Sequence, residues 1–245
     1  MTLRLFLTAS LLAALVGLAA CSSLNGKPAP GPEVPNPDSI LDPVVLYSQN
    51  CAGCHGADGQ KGPAMALGDP VYLAIVDDDT LRSTISKGRP GTAMSAFAQK
   101  DGGMLTDEQI TSIIHGIRKR WSKPDALAGL SAPPYAAKGP GNAQQGAAVY
   151  TTFCESCHGT GTKGGPKAGS VTNGTYLSLI SDQGLRTIVI VGRPDFGAPD
   201  WRGNVPGHPM TKEQVSDVVA WLAAQRPKKP SLPASAIPSS PGGTH

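Results

Sequence analysis

The sequence predicts an all-α protein made of two tandem domains, each a few helices, with proline-rich segments between them. Three observations predict this. The pentapeptide pattern Cys-x-x-Cys-His occurs twice, at residues 51–55 and 154–158. Each copy is followed at similar spacing by Gly-Pro, Tyr-Leu, Leu-Arg and Gly-Arg-Pro. Each half then closes with a helix-start signature and an apolar stripe at helical spacing. A register shared over so many residues indicates a repeated domain.

Composition gives the order of the segments. Prolines recur at five positions between Lys27 and Asp38, which prevents helix formation and favours an extended chain. The chain has 30 glycines and 23 prolines but only 5% aromatic residues, so each core is poor in large side chains. The predicted order is: signal peptide 1–20; cysteine and proline-rich tether 21–41; first domain 42–121; linker 122–140; second domain 141–226; disordered tail 227–245.

Helix-capping signals bound both domains. Asp42 precedes Pro43, a proline at the first helical position, and Asn142 occupies the corresponding place in the second half. The closing helices start at capping boxes, Thr106 to Gln109 and Thr211 to Gln214. Apolar stripes follow these boxes at Ile110, Ile113, Ile114, Ile117 and Trp121, and at Val215, Val218, Val219 and Leu222. Each domain is therefore expected to have an entry helix and a final helix that share a core.

The repeated pentapeptide has the spacing needed to attach a c-type haem. Two thiols three positions apart can each add to one vinyl group of a single haem, and the next histidine then ligates the iron. A zinc site is the alternative, but it would need two further cysteine or histidine ligands nearby. We therefore predict two covalently bound haem c groups. The residues predicted to hold them are Cys51, Cys54, His55, Cys154, Cys157 and His158.

The N-terminal segment has the layout of an export signal. One positive charge at Arg4 precedes an apolar run, and small residues lead to Cys21. The end of the run resembles a bacterial lipobox, which implies a lipid on Cys21 and a membrane-anchored protein facing the periplasm or the cell exterior; an ordinary cleaved signal is the alternative. Four of the five cysteines belong to the haem motifs, so with Cys21 lipidated none is left for a disulfide. The formal charge of +3 indicates no nucleic-acid partner.

From residue 42 to 226 the chain resembles bacterial class I cytochromes c in their tandem dihaem form. The resemblance rests on the haem motif, the Gly-Pro that follows, the Gly-Arg-Pro segment and the closing helix. It implies a small all-α fold in each half. It also implies that the carbonyls of Pro63 and Pro166 accept the free N–H of the proximal histidines. Iron in this family usually takes a methionine sulfur opposite the histidine, and Met94 fits that ligand loop in the first half.

The second half departs from this pattern. Alignment through Gly-Arg-Pro places Ala198 at the position of Met94, and alanine cannot ligate iron. His208 and Met210 are the nearest substitutes, although Met210 also matches Leu105, an apolar residue that can pack at a helix start. Three possibilities stay open for the second iron: ligation by Met210, ligation by His208, or no protein ligand.

These features favour a membrane-anchored dihaem c-type cytochrome that relays single electrons between donor and acceptor proteins of a respiratory chain. The alternative is a haem enzyme that reduces peroxide or a nitrogen oxide, or a small-ligand sensor, using an open second iron. Asp195 and Asp200 flank a bend beside Ala198 and are expected to serve turn geometry, which offers no acid-base pair for such an enzyme.

Overall fold

The computed structural model describes Gly31 and residues 34–227. The predicted signal peptide, Cys21 and the tail beyond Pro227 lie outside the described residues. Residues up to Ser39 belong to a separate unit, of which a short 3-10 helix at Pro37–Ser39 is described. From Ile40 onward the described residues belong to one compact unit. No helix in the described part of the chain is long and apolar enough to cross a membrane.

The predicted all-α fold is confirmed over the described residues, which contain helices and two isolated bridges but no strand. The ten α-helices of the described residues fall into two runs of five in matching order, and the second, third and fourth helices of the two runs are equal in length. The first run is α1 (Pro43–Asn50), α2 (Ala52–His55), α3 (Pro70–Ile75), α4 (Asp78–Lys87) and α5 (Asp107–Trp121). The second is α6 (Ala143–Phe153), α7 (Glu155–His158), α8 (Gly174–Leu179), α9 (Asp182–Val191) and α10 (Lys212–Ala224).

The expected caps start the entry and final helices. The Asp42 carboxylate accepts from two backbone amides at the start of α1, and the Asn142 side chain does the same at α6. Thr106 and Thr211 each form a complete capping box with the glutamine three residues later. These local hydrogen bonds fix where α1, α5, α6 and α10 begin.

The entry and final helices pack together in both halves. In the first half the rings of Tyr47 and Trp121 meet edge to face, with centroids 5.0 Å apart. In the second half the ring centroids of Tyr150 and Trp221 are 4.6 Å apart. The predicted stripes of α5 and α10 supply much of the buried core, and Val215 and Val218 are fully enclosed. This packing fixes the orientation of each entry helix and therefore the position of the haem motif that follows it.

The segment between the halves is packed rather than free. The Arg89 guanidinium donates to the hydroxyl of Tyr135 at 2.5 Å, and the Tyr135 carbonyl accepts from Gln183 Nε2 at 2.9 Å. Arg186 is 3% exposed and donates to the carbonyl of Pro134 at 2.8 Å. The chain near Tyr135 therefore joins the two halves, while the boundaries at residues 122 and 140 stay a prediction.

Candidate haem-attachment sites

Each haem motif forms a single helical turn directly after its entry helix. The Cys51 amide donates to the Tyr47 carbonyl at 2.9 Å, so Cys51 ends α1 and also begins α2. Cys154 plays the same double role, since its amide donates to the Tyr150 carbonyl at 2.8 Å. The entry helix thus fixes the first thiol. The short turn then places the second thiol and the histidine on the same side of the chain as the first thiol.

All four motif cysteines are free thiols. Burial raises the pKa of Cys51 to about 11, and its neighbour Cys54 contributes to that rise. Burial and Cys157 likewise raise the pKa of Cys154 to about 11. Both residues are therefore protonated thiols in the unmodified chain at neutral pH. The pairs are free to form the two thioether bonds that the motif requires.

The proximal histidines are oriented by backbone carbonyls. His55 Nδ1 lies 2.7 Å from the Met65 carbonyl, and His158 Nδ1 lies 2.7 Å from the Gly169 carbonyl. A carbonyl can only accept, so Nδ1 carries the proton and Nε2 keeps the lone pair that binds iron. Burial lowers the pKa of His55, while the bond to Met65 opposes that shift. The residues of both motifs therefore fit a covalent haem with an axial histidine.

The predicted acceptors, Pro63 and Pro166, are replaced in the structure by Met65 and Gly169. The chain after Gly62 turns back on the motif, and the Ala64 amide donates to the Cys54 carbonyl at 3.0 Å. This turn brings a later peptide under the imidazole, ten residues after His55 in the first half and eleven after His158 in the second. A backbone carbonyl still accepts from each histidine, as expected of the prolines, but it belongs to a later residue of the loop.

The two ligand loops share one backbone hydrogen bond but differ in the side chain at its acceptor residue. In the first half the Arg89 amide donates to the Met94 carbonyl at 2.9 Å, and Met94 is half-buried against the core. In the second half the Arg193 amide donates to the Ala198 carbonyl at 3.0 Å. The structure therefore places Ala198 at the backbone position of Met94, as the alignment predicts.

The two substitutes lie in contrasting surroundings. Met210 is 2% exposed, and its amide donates to the Trp201 carbonyl at 2.9 Å. His208 is exposed in a turn closed by its amide and the Val205 carbonyl, 3.0 Å apart. The structure brings Met210 into the core at the start of α10 and leaves His208 at the surface.

A contact between the halves was not expected from the sequence. The Arg193 guanidinium pairs with Asp195 at 2.9 Å and donates to the Gly62 carbonyl at 3.0 Å. The Asp195 carboxylate also accepts from the Lys61 amide at 2.8 Å, and its side chain is 2% exposed. We call these four residues the Arg193 clamp. Asp195 thus does more than shape a turn, because it binds the loop that follows the first haem motif.

Comparison with known proteins places these sites in a family. The family model described as "Cytochrome C oxidase, cbb3-type, subunit III" matches residues 38–115 and 141–222, one segment for each haem motif. The double match confirms the prediction of two haem c groups.

Individual proteins that are similar to this chain carry related names. A cbb3-type cytochrome c oxidase subunit CcoP of an Azospirillum species is 32% identical over 50% of this chain and 40% of its own length. A subunit FixPc of Rhizobium leguminosarum bv. viciae is 26% identical over 71% of this chain and 58% of its own length. Cytochrome c55X of Stutzerimonas stutzeri is 32% identical over 35% of this chain and 70% of its own length.

The chain thus spans about two fifths to three fifths of the length of the oxidase subunits it matches. Its two matched segments nevertheless cover most of the chain between Asp38 and Leu222. The chain belongs to the family of cbb3-type cytochrome c oxidase subunit III.

Proposed function

We propose that this protein is a tandem dihaem class I cytochrome that relays single electrons between a donor and an acceptor protein of a respiratory chain. The observation that carries the proposal is the pair of complete attachment sites within one compact unit. Each site has two free thiols and a histidine whose Nδ1 is held by a carbonyl. The names of the relatives, subunits of cbb3-type oxidases, support a terminal oxidase as the acceptor.

The bound haem supplies a metal that changes oxidation state by one electron. The chain supplies attachment and orientation. Cys51, Cys54 and His55 would hold one haem, with Met94 as the opposite ligand, and Cys154, Cys157 and His158 would hold the other. The carbonyls of Met65 and Gly169 fix the histidine rings, which tunes the basicity of the ligand nitrogen. A rigid ligand set suits electron transfer because little rearrangement accompanies the change of charge.

Two contacts favour a carrier over an enzyme that reduces peroxide or a nitrogen oxide. Such an enzyme needs a side chain that delivers protons. The carboxylates nearest Ala198 in the sequence are Asp195, paired with Arg193 at 2.9 Å, and Asp200, paired with Arg202 at 2.5 Å. The pairing with Arg193 holds the pKa of Asp195 below its usual range. Asp195 is therefore held as an ionised partner of Arg193, and the Asp200 carboxylate is engaged by Arg202.

The proposal is tested with the purified holoprotein. We expect two haems per chain, full reduction by a quinol-oxidising complex, and reoxidation when a cbb3-type oxidase is added. A Met94→Ala variant should still carry two haems but transfer electrons more slowly, because its first haem loses a ligand. A chain that holds a single haem, or that neither partner reduces or reoxidises, would contradict the proposal.

We also propose that Cys21 is lipidated and holds the mature protein at the membrane on the periplasmic side. The signal layout before Cys21 supports this. A Cys21→Ser variant should lose incorporation of radiolabelled palmitate and move from the membrane to the soluble fraction, since the acyl chains provide the anchor. The variant should keep both haems. Palmitate labelling that persists in Cys21→Ser would refute the lipid assignment.

A further inference from the structure

We propose that the chain provides no ligand opposite His158, so the second haem iron binds a small diatomic ligand there, carbon monoxide or nitric oxide in the reduced state. The inference rests on the proposed function only for the attachment of a haem at residues 154–158. Four observations carry it: the backbone match of the two loops, the packing of Met210, the anchoring of the intervening segment, and the exposure of His208.

The loop match shows which side chain replaces the methionine. Gly88 and Gly192 both adopt positive φ, +67° and +70°, at the end of α4 and α9. The next residue in each loop then donates its amide to the carbonyl of Met94 or Ala198. Met94 and Ala198 therefore occupy corresponding positions in the two loops. The alanine methyl group has no lone pair, so a ligand present in the first half has no counterpart in the second.

Met210 already has another structural role. Its amide donates to the Trp201 carbonyl at 2.9 Å, and the Leu105 amide donates to the Phe97 carbonyl at 2.7 Å in the first half. Both residues directly precede the threonine that caps the final helix, and both are buried, at 2% and 5% exposure. Met210 thus occupies the place of Leu105, a core residue that cannot ligate iron. This placement favours packing at the helix start over ligation.

The segment between Ala198 and Met210 is anchored against movement. Trp201 is 1% exposed, and its amide donates to the Ile190 carbonyl at 3.0 Å. The neighbouring Arg202 pairs with Asp200 and also donates to the Ala126 carbonyl at 3.1 Å. Withdrawing Met210 from the core to reach the iron would disturb these contacts and leave a cavity at the start of α10.

The remaining candidate, His208, lies at the surface. It is exposed, and its amide closes a turn with Val205. Of the other histidine and methionine side chains in the described range, His115 is exposed on α5 and Met104 is 74% exposed. Both belong to the first half, as do Met65 and Met94. The second iron is therefore left with His158 as its protein ligand.

Carbon monoxide binding to the reduced holoprotein tests the proposal. We expect one equivalent of carbon monoxide per two haems for the unaltered protein, bound at the second haem. Ala198→Met restores a sulfur at the position of Met94, so it should weaken binding by about tenfold or more, because carbon monoxide must then displace a tethered ligand. Met94→Ala is the matched variant in the first half and should raise the stoichiometry to two equivalents.

Two further variants distinguish the alternatives. Met210→Leu and His208→Ala should leave carbon monoxide binding and the oxidised spectrum unchanged. Loss of a far-red sulfur-to-iron band in Met210→Leu, or of a bis-histidine signal in His208→Ala, would overturn the proposal. So would an unaltered protein that holds two haems and binds no carbon monoxide. A protein holding fewer than two haems would instead contradict the proposed function, which keeps the two failures distinct.

Discussion

Glycine at the Gly-Pro pair lies close against the haem motif in each attachment loop. A Cβ atom on Gly62 would lie 2.2 Å from the Cys54 carbonyl oxygen, and one on Gly165 would lie 2.3 Å from that of Cys157. Both obstacles are backbone atoms of the motif helix, which cannot move without shifting the thiols. The glycine therefore allows the loop to turn back and bring its carbonyl to the histidine.

Replacing this glycine should destabilise the holoprotein. Gly165→Ala forces a methyl group against the motif helix, and overpacking of this kind costs about 1–3 kcal/mol. Gly161→Ala is the matched control in the same loop, since a Cβ there would meet nothing within 4 Å. Denaturant unfolding followed by the haem absorption should show a lower midpoint for Gly165→Ala alone. Equal midpoints for the two variants would show that the close approach is not restrictive.

Some of these residue-level features are predictable from the sequence and others are not. The thiols and histidines follow from a five-residue pattern whose geometry is local. The acceptors for the histidine rings depend on the path of the loop, which is why Met65 and Gly169 take the place expected for Pro63 and Pro166. The resemblance indicates that a backbone carbonyl after the motif accepts the histidine N–H. It does not identify the residue that supplies this carbonyl.

Among the elements, the two Gly-Arg-Pro loops have the same start but hold different partners. Arg89 reaches Tyr135 in the segment between the halves, at 2.5 Å. Arg193 instead forms the Arg193 clamp with Asp195, Lys61 and Gly62. Each arginine therefore has a partner outside its own half of the chain. The clamp ties the ligand loop of the second half to the attachment loop of the first.

The clamp should contribute stability that depends on pH. Asp195→Asn removes the charged acceptor and should cost about 1.5–3 kcal/mol at neutral pH, the range for hydrogen bonds to charged groups. The pairing with Arg193 lowers the pKa of Asp195, so the unfolded chain takes up this proton at a higher pH than the folded one. The contribution is therefore complete above the usual carboxyl range and is lost as the pH falls through the folded pKa.

Chemical unfolding of both proteins from neutral to acidic pH checks this. The difference in unfolding free energy between the unaltered protein and Asp195→Asn should shrink toward zero as the pH falls. Asp58→Asn is the control, because Asp58 pairs with Arg120 while 83% exposed and such pairs contribute at most about 1 kcal/mol. A difference that stays constant at every pH would show that the charge of Asp195 is not responsible.

The sequence predicts best those elements whose stabilising hydrogen bonds join residues close together in the chain. The caps at Asp42, Thr106, Asn142 and Thr211 depend on side chains two or three residues from the amides they bind, so short patterns reveal them. The clamp joins residues more than a hundred positions apart. Without that contact in view, Asp195 is most simply interpreted as a turn residue.

At the scale of the whole molecule, equal attachment and unequal ligation imply two different reduction potentials. A methionine sulfur raises the potential of a haem, and the first half has Met94 where the second has Ala198. Spectroelectrochemical titration should resolve two steps, and Ala198→Met should shift the second haem to higher potential while leaving the first unchanged. A single step in the unaltered protein that the variant does not alter would contradict the asymmetry.

The central claim is that two haems are attached in the same way but differ on the side opposite the histidine. Near-infrared magnetic circular dichroism of the oxidised holoprotein tests it most directly, because the charge-transfer bands report the axial ligands of each haem. We predict a histidine–methionine band of intensity corresponding to half of the haem, with the other half high-spin. Histidine–methionine bands accounting for both haems would contradict the claim.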